Sequence, residues 1–201
     1  MTRCVELVVG EGMLEIPAAQ KIIYAIGLET DRTVLINKRG RHAFWKDAPR
    51  YNKAAAHLGP IFALADLESE PCPSGLIAGY LRARRHPHFV LRVAERMLES
   101  WLLADTSALA KYLRVSARRF PRNPDTEPNP KRTLVNLARQ STSRSLKQDL
   151  VPDQDSRGLV GKGYVPRMTE FIETAWRPLE ARSNSESLRR AIAAIQSATA
   201  P

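Results

Sequence analysis

The sequence predicts an α/β protein with a mainly parallel four-stranded sheet flanked by helices and a helical C-terminal extension. Three observations carry this prediction. Short β-branched apolar runs alternate with helix-spaced segments as far as residue 93. Two of those runs stop abruptly at turns bearing acid, at Gly10-Glu11-Gly12 and at Asp66-Leu67-Glu68. Beyond residue 94 only helical spacing recurs. The predicted division is an α/β core over 1–93 and a helical extension over 94–201, packed on the core as one folded unit.

The first strand is the apolar run after Cys4, ended by the glycine turn. Ile16, Ala19, Ile22, Ile23 and Ile26 follow at helical spacing. A second strand is expected over 33–37, then a basic turn at Lys38-Arg39-Gly40-Arg41. Phe44, Trp45, Ala48, Tyr51, Ala55 and Leu58 are helically spaced, but Pro49 has no N–H to donate, so the helix is expected to begin after it. Gly59-Pro60 stops that helix before a strand over 60–65. Pro73-Ser74 opens a helix over 75–85, and 89–93 forms the fourth strand.

In the extension, Leu98, Trp101 and Leu102 share an apolar helix face, which makes Trp101 a core residue rather than a stacking platform. A helix over 108–113 follows Asp105-Thr106, a capping sequence. Residues 118–130 carry Pro121, Pro124, Pro128 and Pro130 and are expected as a surface loop. Helices are predicted over 131–138, with Pro130 in its first turn, and over 164–176. A polar loop covers 153–163. Ser183-Asn184-Ser185-Glu186 caps a last helix with Leu188, Ile192 and Ile195 inward.

The formal net charge of +10 is localised. Lys/Arg and Asp/Glu cancel over 1–76 and again over 148–201, whereas 77–147 holds 15 basic and 5 acidic residues. A basic block beside acidic turns suits a polyanionic partner, so Arg82, Arg84, Arg85, Arg114, Arg118, Arg119, Arg122, Lys131 and Arg132 are expected to contact nucleic acid. The first residues lack a signal-peptide apolar stretch, and no run reaches membrane-spanning length. Cys4 and Cys72 form neither a disulfide framework nor a metal knuckle, so a reducing cytoplasm is the expected location. His86 and His88 lack a third ligand and are expected as loop residues. Gly158-x-x-Gly161-Lys162-Gly163 has too short a spacing for a phosphate-binding loop and is expected to be flexible.

If the acidic turns follow neighbouring strands, Glu11, Asp66 and Glu68 converge at the carboxyl ends of the sheet, where open α/β folds bind ligands. Carboxylates so close repel one another unless a cation lies between them. Oxygen ligands without His or Cys favour Mg²⁺ or Mn²⁺. Glu15, one helical turn further on, is either an outer ligand or a carboxylate favoured in a helix's first turn. Glu95 and Glu99 are expected at i, i+4 on one helix face.

These motifs resemble the Toprim fold of topoisomerases, primases, small ribonucleases and OLD-type nucleases: Glu11-Gly12-x-x-Glu15 after one strand and Asp66-x-Glu68 after another. More closely, the chain resembles an uncharacterised bacterial Toprim-like family, a domain of unknown function often encoded beside AAA-type ATPases. The closer likeness rests on residues 91–105, containing Glu99-Ser100-Trp101-Leu102-Leu103-Ala104-Asp105, and on Asn129-Pro130-Lys131, Gly161-Lys162-Gly163-Tyr164 and 187–191. The resemblance implies a metal-dependent nuclease in phage defence, acting with an ATPase. It assigns catalysis to Glu11, Asp66 and Glu68 and a cation to Lys131 or Lys162; Glu99 is open between completing the metal shell and a salt bridge with Arg92 or Arg96, and Asp105 is a second outer position. An inactive binding module and a ribonuclease for structured RNA are the alternatives. The chain departs from the usual Asp-x-Asp at Glu68, whose extra methylene moves the carboxylate by about 1.5 Å, and Leu14 replaces a usual hydroxyl residue.

Overall fold

The computed structural model describes residues 4–200. Its four strands, β1 (Leu7–Gly10), β2 (Val34–Asn37), β3 (Ile61–Asp66) and β4 (Phe89–Ala94), pair in the order β2-β1-β3-β4, all parallel. The predicted α/β class and strand count are found, and the arrangement is consistent with a Toprim-like fold. Because β2 and β3 flank β1 on opposite sides, the chain reverses direction across the sheet between β1 and β3. The crevice at that reversal lies beyond Gly10 and Asp66.

Period-two alternation divides the strands between two cores. Val8, Phe62, Leu64 and Val90 pack against α1 (Glu15–Ala25), whereas Val9, Ile61, Ala63 and Leu91 join Phe44 and Trp45 of α2 (Arg41–Leu58). α3 (Pro73–Tyr80) packs beside α2, with Tyr80 stacked on Trp45. α2 runs straight through Pro49, contrary to the expected start after it. Phe44, Trp45 and Ala48 before the proline and Asn52 and Ala55 after it are buried on one face, and that packing offsets the missing hydrogen bond. α3 ends at Tyr80, short of the expected Arg85.

After β4 the chain turns through Arg96, whose φ is 59°, before α4 (Glu99–Ala104). Glu95 therefore precedes the helix and does not share a helix face with Glu99. α5 (Thr106–Leu113), α6 (Pro130–Arg139), α7 (Arg144–Leu150), α8 (Tyr164–Thr174), α9 (Pro178–Ala181) and α10 (Glu186–Ala198) complete the extension. No sequence signal singled out α7. The proline-rich stretch is not wholly superficial, since Phe120 and Pro124 are buried. Trp101 is fully buried, with its Nε1–H donating to Ser187 Oγ at 2.7 Å. One apolar cluster runs from Val8 and Ile22 through Trp101 to Phe171 and Ile192, so sheet and extension share a core. Among the described residues no helix is long and apolar enough to cross a membrane.

Candidate functional site

Glu11 is the first residue beyond β1; its N–H donates to Leu64 O at 3.1 Å, which fixes the turn against β3. Its carboxylate is buried, and Oε2 has no hydrogen-bond partner. Glu15 opens α1, also buried, and Oε2 accepts the Gly12 N–H at 3.0 Å. A Cβ at Gly12 would lie 3.0 Å from that same oxygen, so glycine leaves the carboxylate room.

Asp66 ends β3, and its Oδ1 accepts the Leu98 N–H at 2.8 Å, tying the sheet to the start of α4. Glu99, at the first position of α4, is 2% exposed. Its Oε1 accepts the Tyr164 hydroxyl at 2.9 Å and lies 3.5 Å from Lys131 Nζ. Lys131 stands in the first turn of α6, placed there by Pro130 and by the Asn129 side chain, which accepts the Arg132 N–H. The crevice thus gathers Glu15, Asp66 and Glu99 around Lys131, with Glu11 beside them facing Arg41.

The electrostatics follow from that imbalance. Burial, only partly offset by Arg41, pushes Glu11 up to about 7, and Glu68 and Glu15 add repulsion. Burial raises Glu15, and the Glu99 charge raises it further. Asp66 is driven well above the usual carboxylate range by burial and then by Glu15, Glu99 and Glu11. Burial opposes charge on Lys131, but Glu99, Asp66 and Glu15 together outweigh it and hold the ammonium protonated. Tyr164 is raised by burial and by the Glu99 charge, which keeps its hydroxyl a donor.

Three predicted members stand at the mouth or away from the crevice. Glu68 is 47% exposed at the mouth, with φ of 54°, and pairs with Arg41 at 3.5 Å. Its N–H donates to Arg96 O at 2.7 Å, which turns the chain away from the crevice two residues beyond the strand. Glu68, expected as a ligand, thus stands at the mouth, near enough to raise Glu11, while Glu99, supplied by α4, occupies the interior. Lys162 is 95% exposed and pairs with Asp153, so Lys131 is the lysine that reaches the carboxylates. Asp105 caps α5 through the Ala108 N–H and binds Arg177, a structural role outside the cluster.

The expected single basic wall is also divided. Arg82, Arg84 and Arg85 precede β4, at the amino end of the sheet, opposite the carboxylates. Arg114, Arg118, Arg119 and Arg122 are exposed in and after the end of α5, and Arg119 binds Gln140 at the far end of α6 from Lys131. Arg132 is exposed beside Lys131.

Sequence reasoning gave no role to Tyr164 or Arg41. The signal for Tyr164 was the preceding Gly161-Lys162-Gly163, which is packed rather than flexible. Gly161 and Gly163 donate to Leu150 O and Asp149 O, each at 3.0 Å, and a Cβ on Gly163 would sit 2.6 Å from Asp149 Cβ. The glycines let this segment close on α7 and deliver Tyr164 to Glu99.

The donor chemistry fits a hard divalent cation: all four acids offer oxygen, no imidazole or thiolate intervenes, and Glu11 Oε2 is buried without a partner. Among the described residues no three such side chains stand as a ready-made metal shell. Comparison with protein-family models, with curated proteins and with solved structures found no match.

Proposed function

We propose that the protein hydrolyses phosphodiester bonds of nucleic acid with Mg²⁺ or Mn²⁺ at the crevice between β1 and β3. The observation that carries this reading is the burial of Glu15, Asp66 and Glu99 beside Lys131, with a buried Glu11 next to them that only Arg41 opposes. Four carboxylates against Lys131 and Arg41, the latter shared with Glu68 and Glu70, leave an excess of negative charge that a divalent ion would neutralise.

Glu11 and Asp66 would hold the ion, with Glu15 and Glu99 completing its surroundings. When bound, the ion would polarise the phosphate and make water a better nucleophile. Lys131 holds Glu99 in place and supplies positive charge toward an anionic substrate. Tyr164 fixes the other side of Glu99 by donating to it. An ATPase partner in phage defence is part of the proposal through the family resemblance alone.

The pairing of Arg41 with Glu68 and Glu70 at the mouth favours a second reading, a binding module without hydrolysis. Incubating purified protein with DNA and with RNA, in Mn²⁺ or EDTA, decides between them. The hydrolase reading expects Mn²⁺-dependent cleavage that Glu11→Ala abolishes. Binding without cleavage of either polymer supports the module.

A further inference from the structure

Arg92 lies in the middle of β4, an edge strand, and its side chain meets no acid. Its Nε is buried without a partner, and no hydrogen bond or ion pair joins its guanidinium to any described residue. The charges bearing on it are two further arginines, Arg85 before β4 and Arg190 on α10. Guanidinium groups are always protonated, so three gathered at one edge repel one another unless an anion joins them. Arg85 donates to Leu91 O at 3.3 Å, and Arg190 shares Glu186 with Arg189.

Three surface depressions adjoin along this edge. One contains Glu68 and Arg96 at the carboxylate mouth and meets the second at Thr126. The second holds Arg92 and Arg190 and meets the third at Arg92, where Arg85 and His88 line the wall. Arg92 pairs with Leu64, and Ala94 pairs with Asp66, so the arginine cluster begins two residues, about 7 Å, short of the carboxylates along the strand. Glu95 and Glu186 also line the second depression, Glu186 holding Arg190 and Arg189, while Asp125 beside them is occupied by Ser185 and Ser187.

We propose that this groove holds the phosphodiester backbone of a single nucleic-acid strand, with Arg92, Arg190 and Arg85 clasping a phosphate and the strand leading to the carboxylate crevice. A planar fork of donors suits a phosphate, and cations spaced along a groove that ends at the acids suit a polymer better than a lone ion. The strand's direction rests on the hydrolase reading; the arginine site itself does not.

The test is anisotropy of labelled 20-nucleotide oligo-dT and oligo-U with the full-length protein in EDTA, so that binding is measured without cleavage. Arg92→Gln combined with Arg190→Gln should weaken binding at least tenfold. The double variant should also reduce the slope of log affinity against log salt by about 0.7 for each phosphate that is no longer neutralised. Arg190→Gln alone, at an exposed side chain, should show part of the loss with an unchanged Tm. Arg139→Gln, on the exposed side of α6, should bind as the parent does. Unchanged affinity and slope in the double variant would overturn the proposal, as would an equal loss in Arg139→Gln. Inorganic phosphate raising the Tm through Arg92 while oligonucleotide binding ignores both substitutions would also overturn it, showing a small-anion site.

Discussion

Lys131 Nζ lies 3.5 Å from Glu99 Oε1, so the first turn of α6 supplies the cation that faces a crevice floored by the ends of β1 and β3. This pair joins α6 to α4, whose start Asp66 ties to the sheet. Removing the lysine leaves Glu99, Asp66 and Glu15 facing one another. Lys131→Met is expected to cost about 1–3 kcal/mol at pH 8, less than a fully buried pair because the lysine is partly exposed. Adding Glu99→Gln should restore part of that loss, and a double-mutant cycle by urea unfolding measures it.

Stability without divalent ions should fall as pH rises. Glu11 titrates at about 7 in the fold and near 4.5 when unfolded, and Asp66 and Glu15 are raised as well. Between those values the folded state binds more protons than the unfolded one, so unfolding becomes easier with increasing pH. The Tm in EDTA should drop by several degrees between pH 5 and pH 8, at roughly 2–4 °C for each kcal/mol lost. Mn²⁺ should raise the Tm more at pH 8 than at pH 5. A Tm in EDTA that rises over this interval contradicts the crowding of acids.

Tyr164→Phe removes the donor to Glu99 while keeping the ring. The buried carboxylate loses one partner, and the expected cost is about 1–3 kcal/mol. Thermal or urea unfolding measures it. Any cleavage activity should fall with Glu99 mobility, whereas an unchanged Tm would show that Lys131 alone holds Glu99.

The interior and mouth acids should separate in a cleavage assay. Asp66→Asn and Glu11→Gln are expected to lower Mn²⁺-dependent cleavage by at least a hundredfold. Glu68→Gln should lower it less than tenfold, because that side chain pairs with Arg41 outside the crevice. Glu68→Gln as damaging as Asp66→Asn would return Glu68 to the site.

The sheet was legible because its strands are short apolar runs, three of them stopping at glycine or acid, and those signals are local. Glu11 and Asp66 were legible as partners for the same reason: each is the residue at which a run stops. The distinction between Glu68 and Glu99 was not, because it depends on the left-handed turn at Glu68 and on α4 folding back over β3. Pro49 misled through a local rule that tertiary packing overrides. Lys131 and Lys162 were indistinguishable by sequence, since each follows a helix-opening or glycine signal; only the packing of α6 against α4 separates them.

The most direct measurement is Mn²⁺ binding at pH 7.5, followed by calorimetry and by the disappearance of the free-ion paramagnetic resonance signal. At least one ion should bind the parent protein, and Glu11→Gln and Asp66→Asn should each weaken that binding at least tenfold while Glu68→Gln leaves it near the parent value. A parent that takes up no Mn²⁺, or uptake indifferent to Glu11 and Asp66, would contradict a divalent-cation site between β1 and β3.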